Sequence, residues 1–81
     1  MTVTFKQAML STMSAKQRAK VEAMPGRDRR LFWAAAERIA RRRIERKTGK
    51  KLPAEVDWAK WLDFLKTIIP LIMQLLVLFG L

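Results

Sequence analysis

The chain is predicted to be all-α: two or three helices, with a basic N-terminal helical arm and a C-terminal hydrophobic helix kinked near Pro70. Three observations lead there. Charge is split along the chain, the Pro and Gly residues cluster at two breaks, and between the breaks the apolar residues recur at helical spacing. Residues 1–52 hold fifteen Lys/Arg against four Asp/Glu, whereas Thr67 to Leu81 hold no charge at all. The organisation expected is therefore a basic helical arm over 1–52, with helices at about 5–24 and 28–48, and an amphipathic-to-hydrophobic anchor helix over 53–81.

The first helix has two start signals. Thr4 and Gln7, and then Ser14 and Gln17, both have capping-box spacing, which suits a broken or frayed helix over 5–24. Its apolar residues Phe5, Met9 and Met13 do not extend into a long stripe. Met24-Pro25-Gly26 is the first break, because Pro restricts the residue before it and Gly admits a left-handed turn.

The second helix has Asp28 as its expected cap and the strong helix formers of RRLFWAAAERIARRRIERK as its body. Leu31, Phe32, Ala35 and Ile39 share a face that can pack. Beyond Ala40, Arg42, Arg43 and Arg46 stand where that face would continue. Gly49 fits a helix C′ position and Pro53 the first turn of the next helix.

The third helix is expected to begin near Pro53, with Glu55 and Asp57 favouring its N-terminal dipole. Its apolar positions are Trp58, Trp61, Leu62, Leu65, Ile68, Ile69, Ile72, Leu75, Leu76 and Phe79, with Leu71 filling in beside them. Lys60, Asp63, Thr67 and Gln74 lie roughly opposite. The uncharged stretch from Thr67 is about 22 Å long as a helix, short of the roughly 30 Å hydrocarbon core. Counting from Trp61 gives about 31 Å, with Asp63 and Lys66 one turn from the entry end, where Lys can snorkel. Trp58 and Trp61 then fall at interfacial depth. This picture is a transmembrane helix whose C-terminus reaches the far face. Pro70 removes the hydrogen bond to the carbonyl of Lys66, and the kink this implies makes an L-shaped anchor in one leaflet the alternative to spanning. The competing reading makes the stripe Trp58, Leu65, Ile72, Phe79 the core of a helical bundle or oligomer.

The membrane-anchor residues expected are thus Trp58, Trp61, Leu65, Ile68, Ile69, Leu71, Ile72, Leu75, Leu76 and Phe79. The anion-binding residues expected are Arg38, Arg41, Arg42, Arg43, Arg46, Lys47, Lys50 and Lys51. Arg38, Arg42 and Arg46 repeat every fourth residue, and Arg43 and Lys47 form a second like-charge pair. Each such pair destabilises an isolated helix by about 0.2–0.5 kcal/mol, only partly offset by Glu37–Arg41 and Arg41–Glu45. A row of guanidiniums without internal carboxylates suits an external anion, since Arg matches phosphate oxygens in a bidentate way. Acidic lipid headgroups and nucleic acid both qualify. No helix-turn-helix, zinc-finger or RNA-module signature points to sequence-specific readout.

With no His, Cys or Tyr, the chain lacks the usual general base, thiol nucleophile, phenol and zinc ligands. Gly26, Gly49 and Gly80 form no phosphate loop. Catalysis, a metal, a cofactor and a small-molecule substrate are not expected. The function expected is that of a membrane-associated structural or adaptor protein, for instance a viral membrane component. It would hold an anionic partner or a larger complex, as a homo-oligomer or within an assembly, with its N-terminus on the cytoplasmic or interior side. Two alternatives stand beside it: a membrane-perturbing lysis or toxin-type peptide, and a soluble assembly subunit whose tail docks in a partner.

Overall fold

The two capping boxes decide the N-terminal third. In the computed structural model, which describes residues 2–79, Thr4 Oγ1 accepts from the Gln7 amide at 3.2 Å while Gln7 Oε1 accepts from the Thr4 amide at 3.0 Å. Ser14 and Gln17 repeat the exchange at 3.1 and 2.9 Å. Each box satisfies two amides that a helix start leaves without partners. The result is two short helices, α1 (Phe5–Thr12) and α2 (Ala15–Glu22), in place of one frayed helix, with Met13 extended between them. Arg18 ties the joint by donating to the carbonyls of Leu10 and Met13 at 3.2 and 3.3 Å.

Helix α3 spans Gly26–Thr48. It starts two residues before the expected Asp28 cap: Pro25 occupies the N-cap, its carbonyl accepts from the Arg29 amide, and Asp28 falls in the first turn. Gly49 ends the helix at φ 74°, donating to the Glu45 carbonyl at 2.8 Å. That left-handed conformation strains any residue bearing a Cβ, which explains glycine at this position.

The next helix does not begin at Pro53. Arg41 reaches across and donates to the carbonyls of Pro53 at 2.8 Å and Ala54 at 2.7 Å, while its Nε pairs with Glu37 at 2.9 Å. Those contacts hold residues 53–57 in irregular conformation. Asp57 Oδ1 then accepts from Val3 and Ala59 amides, and the Trp58 amide donates to the Val3 carbonyl at 3.1 Å. A 3₁₀ turn (Trp58–Trp61) leads into α4, Leu62–Leu78. The helix runs on through Pro70. Pro70 and Lys66 are both exposed, so the carbonyl that loses its donor lies on the solvent side.

A single core draws on every helix. Phe5, Ala8 and Met9 of α1, Val21 of α2, Phe32, Ala36, Ala40 and Ile44 of α3, and Leu65, Ile68, Ile69, Ile72 and Leu76 of α4 are all buried. The seam on α3 departs from the expected Leu31/Phe32/Ala35/Ile39 face. It runs through every fourth residue from Phe32 to Ile44, and each step of four advances about 40° around the helix. The seam therefore curls, with Ala36 and Ala40 in it as small contacts, and Arg42, Arg43 and Arg46 come to lie outside. The alanines and methionines of the first fifty residues, Met9, Met13 and Met24 among them, supply cover that large aliphatics alone would not.

Trp58, expected at a membrane interface, is 2% exposed. It packs edge-on against Phe5 at 4.9 Å, with the Arg41 guanidinium 5.9 Å from its ring. Trp33 bridges Phe5 and Phe32, and its Nε1 is buried without a hydrogen-bond partner.

Candidate functional site

The long axis of the molecule is 34 Å, about the length of α3 at 1.5 Å per residue. Helix α4 runs antiparallel to it. Phe32 at the start of α3 meets Phe79 just past the end of α4, with ring centroids 6.5 Å apart. Arg41, late in α3, meets Trp58 ahead of α4. This antiparallel pairing sorts the surface into two ends.

At the α3 C-terminal end, seven of the eight expected anion-binding residues are exposed: Arg38, Arg42, Arg43, Arg46, Lys47, Lys50 and Lys51. Arg42, Arg43 and Arg46 border a shallow depression floored by Ile39 and Leu71. None of the seven forms an ion pair among the described residues, whose two ion pairs are Arg41–Glu37 and Lys66–Asp63. The Arg41–Glu45 pair expected from spacing does not form, because Glu45 Oε2 accepts from the Leu52 amide at 2.9 Å. Arg41 differs from its neighbours. All three of its guanidinium nitrogens donate internally, so it holds the loop and stands apart from the free cations.

The expected anchor residues divide by depth. Trp58, Leu65, Ile68, Ile69, Ile72 and Leu76 are core, whereas Trp61, Leu71, Leu75 and Phe79 are half-buried. The face expected to meet lipid thus meets the chain's own first fifty residues. Even so, Trp58–Leu78 is long and apolar enough to cross a membrane, and only 28% of its most apolar window is buried.

The opposite end carries the exposed large hydrophobics of the described residues: Leu31 at 53%, Val77 at 71% and Leu78 at 80% exposed. Leu31 adjoins Phe32, and Val77 and Leu78 adjoin its ring partner Phe79. Lys20, at the end of α2, shares a cleft with Ala23, Met73, Leu76 and Val77, which brings α2 to the same end. Arg27 and Arg30, both exposed in the first turns of α3, lie toward the same end, as do Glu22 and Asp28. Sequence reasoning missed Leu31 as a surface residue, and it took Val77 and Leu78, which leave the last three turns apolar almost all round, as part of a lipid-facing tail. The missing signal was the pairing of the α3 start with the α4 end, a contact far apart in sequence.

The chemistry of the two ends is distinct. Guanidiniums one turn apart suit a row of phosphates. Exposed aliphatics that share an end with Lys and Arg suit a bilayer surface, where the aliphatics enter the acyl boundary and the cations meet anionic headgroups. Comparison with known protein families, with curated proteins and with solved structures gives no match to this chain.

Proposed function

We propose that the protein is a non-enzymatic adaptor: its apolar tip docks on an anionic membrane, and its basic end binds an anionic polymer, with nucleic acid the best-matched ligand. One observation supports this reading above the others. The exposed aliphatics and the densest run of unpaired cations sit at opposite ends of α3, about 22 Å apart along the helix between Leu31 and Arg46. A single surface that served only solubility would have no reason to be sorted this way. Nucleic acid is preferred at the basic end because that end lacks the strongly exposed aliphatics present at the tip. Its cations also follow one helix, as contacts to successive phosphates require.

Flotation of the full chain with vesicles tests the membrane half. Wild type is expected to float with phosphatidylglycerol-containing vesicles, while the double variant V77K/L78K stays at the bottom and keeps its helical content. Equal flotation of both would remove the tip from the proposal.

The length and apolarity of Trp58–Leu78 favour a second reading, in which α4 leaves the core and inserts, perturbing the bilayer. Rapid dye release from those vesicles would select insertion; intact vesicles bearing bound protein would select docking.

A further inference from the structure

The tip contains a cleft as well as exposed aliphatics. Between α2 and α4, Lys20, Ala23, Met73, Leu76 and Val77 enclose about 290 Å³, near the lower end of the roughly 300–1,000 Å³ of small-molecule pockets. Lys20 carries the one polar side chain among these five residues, the others being alanine, leucine, valine and a thioether, and no carboxylate lines the cleft. Leu76 is buried at the floor, Met73 is half-buried, and Val77 belongs to both the cleft and the exposed tip. The cleft is therefore continuous with the surface proposed to meet the bilayer.

We infer that this cleft takes one acyl chain of an anionic bilayer lipid, with Lys20 on the headgroup phosphate. Charge complementarity selects the occupant: an apolar slot with one cation at its rim matches an apolar chain that ends in one negative charge. A peptide is a poorer match, because apart from Lys20 no lining side chain can donate to or accept from a backbone. Met73 adds adaptability, since an unbranched thioether side chain can follow a flexible chain. Lys20 can keep its methylenes along the slot while its ammonium reaches the headgroup. The inference rests on the tip-docking reading and deepens it. A lipid held by one chain would orient the protein tip-down and leave the basic end free.

The test uses the full chain labelled with ¹³C at the methionine methyls, titrated with dihexanoyl phosphatidylglycerol below its micelle concentration. The Met73 methyl, assigned through Met73→Leu, is expected to shift saturably, while those of the core residues Met9 and Met13 stay in place. Ala23→Phe fills the slot from an exposed position and is expected to weaken the response at least ten-fold. Lys20→Gln is expected to weaken it about five-fold, the effect of one cation near anionic lipid, and to weaken binding of dihexanoyl phosphatidylcholine by less, because choline partly neutralises its phosphate. A silent Met73, or a non-saturating drift shared by all the methionines, would overturn the inference. Vesicle flotation separates the two levels. If wild type floats while Met73 is silent, the cleft assignment fails and the tip stands; if wild type does not float, the tip reading itself fails.

Discussion

The two ends of α3 carry charge of the same sign in different company. At its start, Arg27 and Arg30 precede Leu31, and Val77 and Leu78 of α4 lie toward the same end, next to the Phe79 that meets Phe32. At its end, Arg42, Arg43, Arg46 and Lys47 crowd together with no carboxylate paired to them among the described residues. The difference follows from the buried seam. Because Phe32, Ala36, Ala40 and Ile44 advance around the helix, the apolar surplus is left outside at one end and the guanidiniums at the other. Net charge alone, +10 over the chain, does not distinguish the two ends; the neighbours of each charge do.

The strongest way to break the comparison is to remove the core that holds both ends in place. Leu65 is fully buried, and Leu65→Asp leaves an unpaired carboxylate there, which is expected to cost about 4 kcal/mol or more. Thermal unfolding followed by circular dichroism should show a chain largely unfolded at 25 °C, with both binding activities lost together. A cooperative transition near that of wild type would mean that α4 is not a core helix.

Charge reversal at the basic end is next. R38E/R42E/R46E is expected to weaken duplex DNA binding by about 100-fold or more at moderate salt, measured by fluorescence anisotropy, and to leave vesicle flotation intact. Stability should change little, because the Arg38–Arg42 and Arg42–Arg46 pairs become Glu–Glu pairs of the same repulsive kind. Unchanged DNA affinity would assign these residues to a solvated face.

Arg41 sharpens the contrast because it lies among the basic residues yet has internal partners. Arg41→Ala is expected to cost about 2 kcal/mol of stability, through charge-assisted hydrogen bonds worth roughly 1.5–3 kcal/mol each before allowance for partial exposure. DNA affinity should fall by less than it does for any single exposed neighbour. Were Arg41→Ala the most damaging single change to DNA binding, the guanidinium would have to leave Pro53 and Ala54 on binding.

The smallest effect is expected at Trp33. Trp33→Phe removes a buried N–H that lacks a partner, a group whose burial costs about 1–3 kcal/mol, and this offsets the lost ring area. The net change should stay within about 1 kcal/mol in denaturant titration, with neither end's binding altered.

Much of the local structure was legible because its causes are local. Thr4 with Gln7, Ser14 with Gln17, and Gly49 are signals complete within four residues, and each acts as its spacing predicts. The start of the last helix was not legible. Pro53 and Glu55 are good helix-start residues, but Arg41, twelve positions upstream, takes the carbonyls there. The depth of α4 was missed for a related reason: its cover comes from small and flexible residues, Ala8, Ala36, Ala40 and three methionines, which rank low in any search for large apolar partners. Exposure of the basic cluster was readable from its period alone. The apolar tip was only partly readable: Val77 and Leu78 stand out in apolar last turns, but their sharing an end with Leu31 depends on the pairing of α3 and α4.

The decisive measurement asks whether the two ends work at the same time. Fluorescent duplex DNA and phosphatidylglycerol vesicles are mixed with the full chain at moderate salt, and the vesicles are floated. DNA is expected to rise with the vesicles only when protein is present, and to stay behind with either V77K/L78K or R38E/R42E/R46E. If instead added vesicles strip DNA from the protein, so that the two never float together, both anions occupy one surface and the adaptor reading is wrong.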